Sequence, residues 1–199
     1  MLPCGMNYLA HFILSDGDPG LIVGNFVADH IKNQEVASYS PSIQRGIMLH
    51  RFIDSYTDQH PVVKQSTKRL QPTQRKYAPV VVDICYDLML ARNWEKYSES
   101  DLQSFANTIY NHLTDNTACM SVAVQQRLAV FVAHNWLMGY TTLDGLGYVF
   151  MRMQQRLRFE NSFPTAAKDI VSNFSSLESD FLYFFDDLRS AVRNFLTYE

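Results

Sequence analysis

Four times within its first ninety residues the chain sets two polar, metal-capable side chains four positions apart inside an apolar stretch. The pairs are Asn7 and His11 in NYLAH, Asn25 and Asp29 in NFVAD, His50 and Asp54 in HRFID, and Asp83 and Asp87 in DICYD. A four-residue step on an α-helix returns to nearly the same face, one turn along. Each segment therefore presents two nitrogen or oxygen groups side by side on a surface that otherwise wants burial. A buried carboxylate is costly unless it is paired or holds a metal. The pattern calls for helices that enclose polar side chains, and a metal-centred hydrolase is the first expectation.

The remaining apolar residues mostly recur at helical spacing, and alternating runs bounded by tight turns are absent. An all-α fold is expected, with residues 1–199 forming one helical domain. A turn at Asp16 to Gly20 separates a short first helix from one covering roughly 21–32. Ser40 and Pro41 read as an N-cap and first helical residue of a long helix running to about Tyr56. Pro61 and Pro79 mark two further entries, and Ser98 with Asp101 reads as a capping box for a helix toward Leu113. Helices are also predicted over 119–138 and 142–157, with Pro164 opening an aromatic C-terminal stretch. That stretch is suited either to completing the core or to forming a dimer face.

No apolar run approaches the ~20 residues that a membrane helix needs. The N-terminus lacks the basic, apolar and small-residue regions of a signal peptide, and Met6 reads as the more natural start. A cytoplasmic location is expected, with no membrane partner. Cys4, Cys85 and Cys119 are scattered, giving neither a disulfide framework nor a zinc-ribbon spacing, and Cys85 reads as a small core residue.

Net charge is −3, too weak to argue for nucleic acid. Its distribution is more telling. Residues 41–97 hold nine Lys and Arg against five Asp and Glu, three of the five being Asp54, Asp83 and Asp87. If a cation neutralises those acids, the segment's surface is positive and favours an anionic substrate or an acidic partner. A solvated mixed surface is the alternative.

Around Asp83 and Asp87 the helix is apolar almost all round, which suits enclosure by other helices. Two carboxylates on one side of it repel unless a cation or proton sits between them. The alternative makes them exposed acids or partners of Arg45 and Arg51. His50 and Asp54 have the same apolar company, and Asp58 extends their face by one turn. Arg51 points about 100° away from His50 around the axis and is free to meet a phosphate or an acidic partner. Asn25 is placed to orient a water or ligand beside Asp29, and Asn7 is equally a helix cap. His30, His60 and His112 read as surface residues. His134 is left unassigned.

Imidazoles mixed with carboxylates suit Mn²⁺, Mg²⁺ or Fe²⁺ better than a structural zinc. Such an ion can hold a phosphoryl oxygen and lower the pKa of water. No glycine-rich phosphate loop and no nucleophile-elbow motif is present.

Taken together, MNYLAH, GNFVAD, GIMLHRFIDSYTDQHP and DICYDLMLARNW, with weaker matches at WLMGY and RMQQR, resemble the bacterial acyl carrier protein phosphodiesterase family. That family looks like a divergent branch of the all-helical His-Asp metal-dependent phosphohydrolases. The resemblance implies hydrolysis of the phosphodiester that joins 4'-phosphopantetheine to a serine of holo acyl carrier protein, with Mn²⁺ as the metal. By block matching, Asp29, His50, Asp54 and Asp83 are the leading catalytic candidates. His11 and Asp87 join these four as candidate metal ligands. Carrier proteins are strongly acidic, so Arg51, Lys64, Lys68, Arg69, Arg75, Lys76 and Arg92 are docking candidates. One departure stands out: the wider superfamily has an adjacent His-Asp pair, whereas His50 is followed by Arg51. Two other readings remain open, a metal-dependent hydrolase of a nucleotide or other small phosphoester, and a non-catalytic module that binds an acidic partner.

Overall fold

Proline and short polar caps set most of the helix starts. In the computed structural model, which describes residues 8–156 and 162–198, α1 (Tyr8–Ile13) is followed by α2 (Pro19–Ala28). The Asp18 carboxylate caps α2 by accepting the Leu21 N–H. Next come α3 (Pro41–Gln59), α4 (Pro61–Gln74) and α5 (Ala78–Arg92), each with Pro in its first turn. The chain continues through α6 (Leu102–Asp115), α7 (Val122–Ala133), α8 (Leu143–Arg156), α9 (Phe163–Ser172) and α10 (Phe174–Tyr198). Among the described residues there is no strand, and no helix is long and apolar enough to cross a membrane.

Several boundaries differ from the sequence expectation, each for a local reason. The second helix stops at Ala28, and Asn33–Ser38 form a separate 3₁₀ segment. Ser98 does not cap α6: its hydroxyl meets Ser100, and Asp101 itself accepts the Ser104 N–H at 2.9 Å. The helix expected over 119–138 is broken because Asn135 takes a left-handed φ of 44°, after which Trp136–Tyr140 wind as a 3₁₀ turn. Asn7 and Cys4 lie outside the described residues.

Two apolar clusters fill the interior. One surrounds α5, whose Val81, Val82, Ile84, Cys85, Leu88 and Leu90 are buried among α4, α8, α9 and α10. The C-terminal stretch completes this core through Phe181, Phe184, Phe185 and Leu188. The other joins α2 to α6 and α7 through Ile22, Phe26, Ile109, Leu113 and Phe131. Helices α1 and α3 feed both, with Leu9 and Leu49 in the first and Phe12 and Ile47 in the second. His11 and His50 therefore sit on the two helices that straddle the seam.

At that seam α2 and α3 cross with their backbones in contact. A Cβ on Gly46 would lie 2.7 Å from the Leu21 carbonyl oxygen and 2.8 Å from the Gly24 Cα. A Cβ on Gly24 would meet the Ile43 carbonyl oxygen and, at 2.5 Å, the Gly46 Cα. Neither obstacle is a flexible side chain, so a methyl group can be accommodated only by parting the helices. Gly24→Ala or Gly46→Ala is expected to cost about 1–3 kcal/mol, the usual range for overpacking. A thermal melt followed by circular dichroism would show it, and an unchanged midpoint would mean the crossing is loose.

Candidate metal centre

The crossing carries the polar residues of three helices to one place. His11 comes from α1, Asn25 from α2 and Asp29 from its C-terminal cap, while His50 and Asp54 lie one turn apart on α3. His11 and His50 are 3% and 4% exposed, and their rings stack with centroids 4.3 Å apart and planes at 23°. Two stacked imidazolium cations would repel at that separation. Carboxylates offset the charge: His11 Nε2 is 3.2 Å from Asp54 Oδ1, and His50 Nε2 is 3.3 Å from both Asp29 Oδ1 and Asp54 Oδ2. Asp54 is the solvent-facing member of the group.

A buried hydrogen-bond chain sets the tautomer of His11. The Leu21 carbonyl is purely an acceptor, so the Asn25 group 3.2 Å from it is the amide nitrogen. That nitrogen also donates to the Ser15 hydroxyl at 2.9 Å, and Ser15 in turn donates to the His11 carbonyl. Asn25 Oδ1 is thereby left facing His11 Nδ1 at 3.0 Å, and Nδ1 must carry the proton. In the neutral ring Nε2 then presents a lone pair to the Asp54 carboxylate. Such a contact persists only with a proton or a cation between the two.

The titration behaviour follows. Burial pushes the His50 imidazole down, but its bonds to Asp29 and Asp54 outweigh this and bring it up to about 9. Burial likewise works to raise Asp54, yet His11 and His50 hold its carboxyl well below the usual range. Asp29 is lowered against its burial by His50, with help from the nearby Tyr8 hydroxyl. Tyr8 itself is kept protonated by burial and by the Asp29 charge, so it acts as a donor.

His11, His50 and Asp54 each offer a ligand atom, and these atoms lie within 4.8 Å of one another. Asp29 Oδ2 and His50 Nδ1 are buried without hydrogen-bond partners. Two imidazoles with carboxylate oxygen, a fixed tautomer on one imidazole and orphaned polar atoms around them fit a divalent cation.

Asp83 and Asp87 stand apart from that set. Burial raises Asp83 to about 7, with the charges of Asp58 and Asp54 adding to the effect. Asp87 is 1% exposed and neither of its oxygens has a hydrogen-bond partner. Burial raises it strongly, and the Leu9 and Ala10 amides of α1 offset this only in part. One carboxyl therefore faces the cluster's charge and the other the first turn of α1. Cys85 between them is buried, its thiol pushed well up by burial.

Other candidates lie outside the cluster. Arg51 is exposed and donates to Asn33 Oδ1 at 2.8 Å, while Arg92 lies over the Phe174 ring at 5.0 Å. Arg69 is paired with Asp180. His60 is not a surface residue: it is 9% exposed, 3.4 Å from Asp187 and packed among Tyr56, Tyr183 and Phe184. His30 is half-buried with its ring edge-on to Phe26, and His112 is also half-buried. Sequence reasoning did not find Ser15, Tyr8 or the paired glycines. Ser15 lies one more four-residue step beyond His11, so that spacing is itself a signal for it.

Residues 6–188 match the family profile described as acyl carrier protein phosphodiesterase, and the chain belongs to that family. Proteins of that name from Serratia proteamaculans and Yersinia enterocolitica are 26% and 28% identical over 190 residues, covering 95% of this chain and 98% of each relative. The protein of that name from Pectobacterium atrosepticum is 29% identical over 181 residues, covering 90% of this chain and 94% of the relative. No solved structure matches the chain.

Asn25→Ala frees His11 to take either tautomer and removes no ligand atom. It is expected to weaken Mn²⁺ binding about 10- to 100-fold, the usual effect of losing a group that orients a metal-bound histidine. Isothermal titration with Mn²⁺ measures this directly, and wild-type affinity would rule out the orienting role.

Proposed function

We propose that the chain hydrolyses the phosphodiester joining 4'-phosphopantetheine to a serine of holo acyl carrier protein, releasing the apo carrier protein and 4'-phosphopantetheine. One helical domain, residues 1–199, is proposed to carry the whole activity, in the cytoplasm. The observation that carries this reading is the convergence of buried His11 and His50 with the solvent-facing Asp54, closed by Asp29, in a member of this family. The centre is read as a divergent His-Asp phosphohydrolase site. The partnership that an adjacent His-Asp pair would supply is made through space, His50 with Asp29 and Asp54.

His11, His50, Asp54 and Asp29 are the proposed ligands, with Mn²⁺ preferred and Mg²⁺ or Fe²⁺ compatible with the same donors. A divalent ion there supplies Lewis acidity toward a phosphoryl oxygen and a lowered pKa for water. The protein's own groups divide the remaining work. Asn25 keeps the proton of His11 on Nδ1, so Nε2 stays a donor of electrons. The nearby Tyr8 hydroxyl helps to keep Asp29 charged. Asp83, held near pH 7 in its titration, keeps a proton close to the cluster and delivers it to the departing serine oxygen. Exposed Arg51, Lys64 and Lys68 favour approach of an acidic carrier protein.

Incubation with holo acyl carrier protein and Mn²⁺ is expected to lower the carrier's mass by the 4'-phosphopantetheine group, with a chelator or Asp54→Ala abolishing the change. An intact holo protein under these conditions would overturn the reading. If the chain instead cleaved nucleotides or other small phosphoesters, the substrate would be wrong and the centre right.

Asp83 yields a separate expectation. Its acid form is the active one, so activity should fall as pH rises through about 7. Asp83→Asn is expected to lower kcat about 10²- to 10⁴-fold at neutral pH and to remove that descending limb. A variant that kept both the rate and the limb would exclude Asp83 as the proton donor. The carrier-protein assay run from pH 5.5 to 9 distinguishes the outcomes.

A further inference from the structure

Where α3 turns into α4, the fold leaves a cleft on the side of α3 that faces away from the metal centre. Phe52 and Tyr56 follow His50 and Asp54 by two residues each, a rotation of about 200° around the helix axis. His60, the C-cap of α3 and the N-cap of α4, forms the corner. Helix α10 supplies the opposite wall through Tyr183 and Asp187, which lie one turn apart. The cleft measures about 630 Å³, within the usual range for a small-molecule site. None of its walls belongs to the metal centre.

Aromatic rings and one carboxylate define its chemistry. Phe52, Tyr56, His60 and Tyr183 form a row with successive ring centroids 6.0, 5.5 and 6.4 Å apart. Phe195 stacks on Phe52 at 4.6 Å and fixes that end of the row. At the other end Tyr183 is 62% exposed, so much of its ring is free to be covered. Ser55, Gln59, Pro61 and Val62 complete the lining. Among the described residues, no Lys or Arg lines the cleft or pairs with Asp187. The Asp187 side chain is 46% exposed and is met by His60 Nε2 at 3.4 Å, while His60 Nδ1 is buried without a partner. One long imidazole contact leaves the carboxylate with most of its charge directed at the cleft. Burial and that charge both raise the Tyr56 hydroxyl, which stays a neutral phenol.

Such walls discriminate by charge. An anion would meet the Asp187 carboxylate with no basic group to offset it. A neutral apolar guest would strip water from that carboxylate and give nothing in return. A hard divalent ion prefers a shell of oxygen atoms to aromatic faces. An organic cation is served by both elements, because ring faces attract it and the carboxylate neutralises it.

We infer that this cleft is a binding site for a compact organic cation of the alkylammonium class, seated against Tyr56 and Tyr183 with its charge toward Asp187. The site is separate from the metal centre and independent of the reaction proposed there.

Choline is a suitable probe. Its control is 3,3-dimethylbutan-1-ol, which has the same shape with carbon in place of the charged nitrogen. Each is titrated into the full chain while the backbone amide NMR signals of Gln59, His60 and Val62 are followed. Choline is expected to shift these signals saturably, with the alcohol bound at least about tenfold more weakly. Asp187→Asn keeps the size of the side chain and an acceptor for His60 while removing the charge, and should weaken choline at least about tenfold. Tyr183→Ala, at a largely exposed position, should weaken it about 3- to 30-fold. Signals that choline leaves unmoved would overturn the site. So would an alcohol bound as tightly as choline, which would make the cleft a plain apolar groove, or undiminished choline binding by Asp187→Asn.

Discussion

Where α2 crosses α3, only the hydrogens of Gly24 and Gly46 separate the two backbones, and everything at the candidate centre is measured from that contact. Asp29 projects from the end of α2, and His50 and Asp54 from the middle of α3. Carboxylate and imidazole meet at 3.3 Å because the helix axes approach as closely as backbone allows. A methyl group at the crossing would part the helices on the scale of these polar contacts. A packing requirement with no chemistry of its own thus sets the geometry on which the chemistry relies.

The second constraint is electrostatic. His11 and His50 are stacked and nearly inaccessible, an arrangement that costs free energy unless every polar atom has a counterpart. On one side the requirement is met in full: the Leu21 carbonyl, Asn25, Ser15 and the His11 carbonyl form a closed set of donors and acceptors. On the other, Asp29 Oδ2 and His50 Nδ1 lack partners, and the His11 lone pair faces a carboxylate. A network completed on one side and left with unpartnered polar atoms on the other is consistent with a site for a divalent cation.

Local signals were legible where local physics decides. Pro41 and Pro61 start helices because a ring without an N–H costs nothing in the first turn. The apolar surround of DICYD correctly marked an enclosed helix. Errors arose where a longer-range contact or a neighbouring cap took over. Asp101 displaced Ser98 as the α6 cap, and Asn135 turned left-handed where apolar periodicity ran on. His60 looked like a surface residue among polar neighbours in sequence, yet α10 folds over it and supplies Asp187. The Asp83 and Asp87 pair shows how far spacing alone reaches. A four-residue step places two carboxyls on one helix face but does not reveal what lies opposite. One meets the charges of Asp58 and Asp54, the other the amides of α1.

By itself, then, the sequence determined the helical class, most helix starts and the residue types of the centre. These depend on periodicity, caps and the cost of burying charge, all of which act over a few residues. The tertiary structure decided which of those groups converge. It joined Asn25 to His11 and Asp29 to His50, moved Asp83 and Asp87 into different surroundings, and brought Asp187 of α10 to His60 and Tyr56 in a separate cleft. Those choices follow from the glycine crossing and from helices meeting across long stretches of chain, and spacing along a single helix contains no information about its partner.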